Sequence, residues 1–203
     1  MYNRYYVLQA SFLAKRNGGE QMIRSFNGKT PRIADTAFVS EFAYVVGDVE
    51  IGEGSGIWPG AVIRGDFGSI RIGQNSHIED NTVVHAWKSL TIGDNVTVGH
   101  SAVVHCLRIG NNVLVGNNAT ILEDTEIGDF CIIGANSMVR TAQKIPDRSF
   151  VVGVPAKIKA EYSSDEIQSL YREMAGRYSE TTARREPELS LSELARQYKA
   201  QGL

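Results

Sequence analysis

An aliphatic residue recurs at every sixth position along most of this 203-residue chain. The series is interrupted three times: by three extra residues after Ile63, by two extra residues after Val84, and by one missing residue after Val104. An amphipathic helix repeats about every 3.6 residues and a strand every two, so neither explains a period of six. The series comprises Ile33, Val39, Val45, Ile51, Ile57, Ile63, Ile72, Ile78, Val84, Ile92, Val98, Val104, Ile109, Val115, Ile121, Ile127, Ile133, Val139 and Ile145.

This period predicts an all-β solenoid of hexapeptide repeats, built from short parallel strands and tight turns. Each repeat forms one flat side and three sides close a triangular coil, so about nineteen repeats give roughly six coils. Gly, Asn and Asp, which tolerate unusual backbone angles, occupy the corners. The fourth residue after each aliphatic is small or β-branched and is predicted to face inward, as at Ala37, Ala43, Ser55, Ala61, Ser76, Thr82, Ala102, Ala119, Thr125 and Ser137.

Composition excludes several classes of protein. A net charge of −2 gives no electrostatic reason to expect a nucleic acid partner, and no apolar run reaches the length of a transmembrane helix. The two cysteines argue against a disulfide framework, and Cys131 falls at an inward position of its repeat. We therefore expect a cytoplasmic protein with no nucleic acid or membrane partner.

The chain is predicted to contain three segments. Residues 1–21 are basic and are expected to be a loosely ordered extension, with a transit peptide as the alternative. Residues 22–160 form the β-helix, and residues 161–203 form a C-terminal helical segment and tail.

Two helices are predicted in the C-terminal segment. The first begins at Ser163, where Glu166 completes a capping box, and its apolar stripe is expected to pack along the solenoid. The second has Ser190 and Glu193 as a capping box, and we expect it to pack on a neighbouring subunit or to be mobile. The first stripe consists of Ile167, Leu170, Tyr171, Met174 and Tyr178, and the second of Leu191, Leu194 and Tyr198.

Three of the four histidines occupy related positions of the repeat. His85 and His105 each directly follow a lattice aliphatic, and these two aliphatics lie three repeats apart. Strands on adjacent coils are about 4.8 Å apart, so the two imidazoles can share one metal ion. His100 follows the preceding side of the coil and points elsewhere. The fourth, His77, is expected at a solvated outward corner.

One protomer therefore offers two metal ligands in one column and a third around a corner. A closed homotrimer resolves this mismatch by placing the Arg64–His85–His105 column of one subunit against Asp80 and His100 of the next. Arg64 then meets the Asp80 carboxylate across the interface. This arrangement predicts a metal ion, shared between subunits, at each of three identical sites.

The residues around this site form three short motifs. They are Arg64-Gly65-Asp66, Glu79-Asp80 followed by His85, and Gly99-His100-Ser101-Ala102-Val103-Val104-His105. Over about residues 24–175 the chain resembles the γ-class carbonic anhydrase family. The resemblance implies a left-handed parallel β-helix with a C-terminal α-helix, and a homotrimer that binds zinc, or Fe²⁺ or Co²⁺, through His85, His105 and the neighbour's His100.

The resemblance also assigns roles to charged residues around the site. Arg64, Asp66 and Asp80 match the family's interface and active-site salt-bridge residues. Glu79 stands where the family usually carries a glutamine that hydrogen-bonds the metal-bound hydroxide.

The predicted reaction is attack of metal-bound hydroxide on carbon dioxide, a small-molecule substrate, to give bicarbonate. One alternative is a metal-dependent acyl-CoA thioesterase, because Arg-Gly-Asp-Phe-Gly at 64–68 resembles a phenylacetate-degradation subgroup. Another is a non-catalytic assembly subunit. Acyl transfer is disfavoured because no long protruding insertion is present. The loop 86–89 lacks the carboxylates with which the most active archaeal members shuttle protons, so rapid hydration is not expected.

Overall fold

The protein is a left-handed parallel β-helix with a C-terminal helix, as the repeat and the resemblance predicted. The computed structural model describes residues 22–163 and 191–201, together with 165, 166 and 169. The predictions for residues 1–21 and for the stripe of the first C-terminal helix lie outside this part.

Twenty short strands and one helix are described. They are β1 (Met22–Arg24), β2 (Arg32–Ile33), β3 (Phe38–Val39), β4 (Tyr44–Ile51), β5 (Gly56–Ile57), β6 (Val62–Ile72), β7 (His77–Ile78), β8 (Val83–His85), β9 (Leu90–Ile92), β10 (Thr97–Val98), β11 (Val103–Val104), β12 (Arg108–Ile109), β13 (Leu114–Val115), β14 (Thr120–Ile121), β15 (Glu126–Ile127), β16 (Ile132–Ile133), β17 (Met138–Val139), β18 (Lys144–Ile145), β19 (Ser149–Gly153), β20 (Ala156–Glu161) and α1 (Leu191–Gln201).

The strands stack in fixed register on three sides of the coil. One side, which we call the second side, consists of seven strands paired in parallel: β3, β5, β7, β10, β13, β16 and β19. The solenoid therefore has seven levels, one more than the six coils expected from the sequence. The aliphatic series read from the sequence ends at Ile145. The repeat continues six residues later at Val151, and this repeat supplies the extra level. An antiparallel pairing of β20 with β19 closes this end.

The inward positions form one continuous core. Every lattice aliphatic except the half-buried Ile33 is at most 5% exposed, and the predicted small positions are equally buried. Buried hydroxyls are satisfied by carbonyls of the next coil, as where Thr82 Oγ1 donates to Gly99 O at 2.8 Å. Cys131 is buried as predicted and donates to Pro146 O at 3.0 Å.

Most corners owe their shape to one residue with a positive φ, three positions after the lattice aliphatic. Asparagine is the commonest residue there, because its short side chain tolerates the left-handed region. Phe130 adopts the same conformation with φ 59° and a side chain that is 41% exposed. The asparagines at this position are Asn75, Asn81, Asn95, Asn112, Asn118 and Asn136.

Two predictions about the outer surface were wrong. The second C-terminal helix, α1, packs on its own solenoid: Ala195 is buried, and the Tyr198 ring lies 5.8 Å from Phe38 and 5.7 Å from Trp58. His77 is not solvated, since it is 4% exposed beside Trp58 on the side that α1 covers. Burial lowers the pKa of His77 to about 4.

The capping box at the start of the first C-terminal helix is present. Ser163 N and Oγ each donate to Glu166 Oε2 at 2.8 Å, and Glu166 N donates back to Ser163 Oγ at 3.3 Å. In the described part of the chain, no helix has the length and apolar character needed to cross a bilayer.

The corner geometry predicts that Phe130→Asn stabilises the fold. Asparagine relieves the left-handed strain of a bulky side chain, so the free energy of unfolding should rise by about 0.5–1 kcal/mol. Urea denaturation measures this change.

The matched control is Phe42→Asn. Phe42 also lies three residues after a lattice aliphatic, is 65% exposed and is absent from the positive-φ residues. An equal gain at Phe42 would contradict the strain argument.

Candidate metal centre

His85 and His105 lie side by side at the ends of β8 and β11. Their rings are stacked, with centroids 4.9 Å apart and planes 19° from parallel. His85 Nδ1 faces His105 Nε2 at 3.1 Å. The neighbours Val83–Val103 and Val84–Val104 pair in parallel, and this register places the two imidazoles on adjacent levels.

A carboxylate lies against the outer nitrogen of each ring. His85 Nε2 is 3.0 Å from Asp66 Oδ1, and His105 Nδ1 is 3.0 Å from Glu123 Oε1. Both carboxyl groups are ionised at neutral pH. Partial burial acts to raise the pKa of Asp66, but hydrogen bonds from Arg64 and His85 lower it below the usual value. The pKa of Glu123 is lowered by its own backbone amide and by a hydrogen bond from His105.

Ionised carboxylates fix the tautomers of both histidines. A carboxylate only accepts, so His85 Nε2 and His105 Nδ1 must carry the protons. The facing atoms, His85 Nδ1 and His105 Nε2, then both present lone pairs. Burial lowers the pKa of His85, which favours the neutral form of that ring.

Arg64 continues this column one level earlier. It pairs with His85 in the strand register, and its Nη1 donates to Asp66 Oδ2 at 2.6 Å. Arg64 thus has a carboxylate within its own subunit, in addition to any contact with Asp80 of a neighbour. Glu123 was not identified from the sequence, although it lies two residues after Ile121 on the level above His105 and could have been found there.

His100 lies at the opposite edge of the same solenoid side. Its Nδ1 is 3.1 Å from Asp80 Oδ2 and its Nε2 is 3.3 Å from Glu79 Oε2. The His100 side chain is 48% exposed, against 13% for His85. Burial raises the pKa of Glu79, while the His100 charge opposes this rise.

The three histidines do not converge within one chain. Among the described residues, no group of three His, Cys, Asp or Glu side chains could hold a metal ion. Cys106 does not supply a ligand, because its thiol is turned into the core and burial raises its pKa to about 12.

The solenoid side that lies between the His85–His105 pair and His100 has an apolar outer surface. The outward residues of its strands are partly exposed and mostly apolar. The side that follows it along the chain carries alternating charges at the equivalent positions, with ion pairs such as Arg71–Glu50 and Lys144–Glu126. The apolar face comprises Tyr44, Val62, Val83, Val103, Thr120 and Met138, and the charged face comprises Arg32, Glu50, Arg71, Thr91, Arg108, Glu126 and Lys144.

Comparison with known proteins identifies the repeats. The family described as bacterial transferase hexapeptide (six repeats) matches residues 30–65 and 107–141, and the hexapeptide repeat of succinyl-transferase matches residues 89–123. A solved hexapeptide transferase family protein from Anaplasma phagocytophilum superposes with a TM-score of 0.71 at 32% identity, over 77% of this chain and 93% of that one.

Several curated relatives are named carbonic anhydrases, and others, 32% identical over 75% of this chain, are named carnitine operon protein CaiE. A probable carbonic anhydrase of Methanocaldococcus jannaschii is 45% identical over 72% of this chain and 92% of its own length. The mitochondrial gamma carbonic anhydrase 2 of Arabidopsis thaliana is 40% identical over 68% of this chain. The match spans 53% of the plant protein, about half its length.

Two segments beside the histidine column, one around Gly68 and one around Lys88, approach each other closely. The substitution Gly68→Ala tests this contact. A methyl group at Gly68 would lie 1.8 Å from the Lys88 carbonyl oxygen, so the backbone must shift. We expect a loss of about 1–3 kcal/mol in the free energy of unfolding.

Ser69→Ala is the comparison variant, measured by the same urea denaturation. It removes only the hydroxyl contact to Ser89, at 3.0 Å, on the exposed surface. Equal effects of the two substitutions would show that the close approach is not a constraint.

Proposed function

Because the chain belongs to the γ-class carbonic anhydrase-like family of hexapeptide-repeat proteins, we propose that it is a metal-dependent hydratase converting carbon dioxide to bicarbonate. The observation that carries this proposal is the pair of imidazole nitrogens 3.1 Å apart, each backed by a carboxylate on its ring's outer nitrogen. The sites lie between the subunits of a homotrimer.

The donor set fits a zinc ion. Two lone pairs at this distance repel unless a cation lies between them, and a carboxylate behind each imidazole is the usual support of a metal-bound histidine. Two nitrogen ligands of one tetrahedral zinc are about 3.3 Å apart, close to the observed spacing. Fe²⁺ and Co²⁺ also accept imidazole ligands.

His100 of the next subunit supplies the third ligand. Exposure at the far edge of the apolar face allows His100 to reach a partner when that face is buried. An exposed apolar strip flanked by both halves of one site is the surface that a second copy would cover. A site shared between two subunits in this way accounts for the incomplete set of metal ligands in a single chain.

A zinc ion bound there would acidify a water molecule and supply hydroxide for addition to carbon dioxide near neutral pH. The residues of the chain hold this arrangement in place. Asp66 and Glu123 keep the protons on the outer nitrogens of His85 and His105, and Arg64 holds Asp66. Glu79, buried beside His100, would accept a hydrogen bond from the reacting water.

The shared site can be tested by mixing two inactive variants. His100→Ala and His105→Ala should each lose bound zinc and carbon dioxide hydration, measured by metal analysis and stopped-flow assay. Co-refolded one to one, they should recover about one quarter of the wild-type zinc content and activity, since a quarter of random interfaces pair an intact column with an intact His100.

No recovery on mixing, with both variants still folded and trimeric, would place all ligands in one chain and contradict the shared site. Wild-type protein that binds no zinc, iron or cobalt would overturn the metal-dependent function. Hydrolysis or transfer of acyl groups without carbon dioxide hydration would favour the thioesterase or transferase alternative.

The apolar face provides a separate test of the trimer. Val103→Glu places a carboxylate at the centre of that face, where burial against a second copy would cost several kcal/mol. We expect this variant to elute as a monomer in size-exclusion chromatography with light scattering.

Thr91→Glu is the matched control. Thr91 is the equivalent outward residue on the charged face, paired with Arg71 and Arg108 in the strand register, so a carboxylate is accepted there. A trimeric Val103→Glu variant would show that the subunits meet elsewhere.

A further inference from the structure

The turn that connects β1 to β2 carries an Asn-Gly pair on the outer surface. Asn27 and Gly28 are both exposed and adopt left-handed backbone conformations, with φ 48° and 74°. The pair closes a tight reversal in which Phe26 N donates to Lys29 O and Lys29 N donates to Phe26 O, both at 2.9 Å. Two central residues with positive φ are typical of a type I′ turn, for which Asn-Gly is a preferred sequence.

The surroundings of this pair leave the Gly28 nitrogen accessible to the Asn27 side chain. A Cβ atom at Gly28 would meet no atom of a more distant described residue within 4 Å. Glycine also samples a wide range of backbone angles, which lets its nitrogen approach the preceding side chain. The turn is closed by a single bridge that lies outside the strands, so it can open without disturbing the solenoid.

The asparagines of the solenoid corners share the left-handed conformation but not these surroundings. Each is followed by a core residue that is at most 1% exposed. Val96 N donates to Ser76 Oγ at 3.0 Å, and Ser137 N donates to Gly134 O at 3.2 Å. An amide fixed in this way is not free to turn toward the preceding side chain. The residues that follow the corner asparagines are Ser76, Thr82, Val96, Val113, Ala119 and Ser137.

We propose that Asn27 is a site of spontaneous deamidation, and that the isoaspartyl product detaches β1 from the solenoid. The Gly28 nitrogen bonds to the side-chain carbonyl carbon of Asn27, and the bond from that carbon to the side-chain nitrogen breaks. The side-chain nitrogen leaves with the electron pair, takes the Gly28 amide proton and departs as ammonia. A cyclic imide remains.

Water opens the imide in one of two ways. The water oxygen bonds to one of the two ring carbonyl carbons, the bond from that carbon to the Gly28 nitrogen breaks, and one proton of the water moves to that nitrogen. Attack at the side-chain carbon yields an aspartyl residue at position 27. Attack at the main-chain carbon yields an isoaspartyl residue, in which the backbone runs through the former side chain.

The isoaspartyl product does not fit this turn. Its backbone contains an additional carbon atom, so Phe26 and Lys29 no longer meet across a two-residue loop. β1 depends on the turn for its position, because it is three residues long and pairs with β4 alone among the described strands. Ile23, which packs against the core from β1, then loses its fixed place.

Ageing of the purified full chain at neutral pH tests the site. Tryptic peptides are analysed by mass spectrometry for conversion of amide to acid. Isoaspartyl residues are measured by methylation with a recombinant isoaspartyl methyltransferase and labelled S-adenosylmethionine. We expect peptide 25–29 to convert about tenfold faster than peptide 109–140, which contains three of the corner asparagines.

The sequence supplies an internal reference for these conditions. Asn17-Gly18 is the other Asn-Gly pair in the chain and lies outside the described residues. Its conversion in peptide 17–24 shows that the conditions permit the reaction. Gly28→Ala has room for its methyl group and should slow conversion at Asn27 about tenfold, because alanine samples fewer backbone angles than glycine.

Limited proteolysis of the native protein tests the detachment of β1. Protein that carries isoaspartate at position 27 should be cleaved by trypsin after Arg24 about fivefold faster than fresh protein. Asn27→Asp is the matched control, since it introduces the charge without lengthening the backbone. It should be cleaved at the rate of the fresh protein.

Three results would overturn the proposal. Peptide 25–29 that stays unconverted while peptide 17–24 converts, or equal conversion of peptide 109–140, would exclude selective reaction at Asn27. Isoaspartate at position 27 with unchanged cleavage after Arg24 would show that β1 stays attached. No step involves the candidate metal centre, so these outcomes are independent of the proposed function.

Discussion

Most sides of the solenoid end at a corner where one residue adopts a left-handed backbone conformation, three positions after the inward aliphatic. This repeated corner returns the chain to the same place on every level, so the parallel strands pair without slipping in register. Inward positions then stack into one core, and outward positions stack into columns. The proximity of His85 and His105, 20 positions apart in the chain, follows from this register.

The three sides of the coil differ in what covers their outer surfaces. The second side packs against α1 through Phe38 and Trp58. The charged side carries ion pairs on its outer surface. The remaining side is mostly apolar, and the candidate ligands lie at its two edges. Burying that side against other copies would bring the edges of different subunits together, which unites assembly and site formation in one surface.

The sequence was sufficient for features that depend on neighbouring coils. The inward placement of Cys131 and the adjacency of His85 and His105 follow from counting along the repeat. It was insufficient for His77, because the cover over its side comes from α1, more than 100 positions later, and no local pattern indicates where that helix docks. Glu123 was missed although counting along the repeat places it on the level next to His105, which its carboxylate contacts.

The carboxylates behind the histidines also bear on stability. Asp66 and Glu123 hold the protons on the outer nitrogens, and the inner nitrogens are left facing each other at 3.1 Å. Two lone pairs at this distance repel each other, so a metal ion bound between the neutral rings would be favourable. On the proposed function, metal binding would therefore stabilise the column as well as prepare it for chemistry. If the third ligand comes from the next subunit, as proposed, the same binding energy would also hold the trimer together.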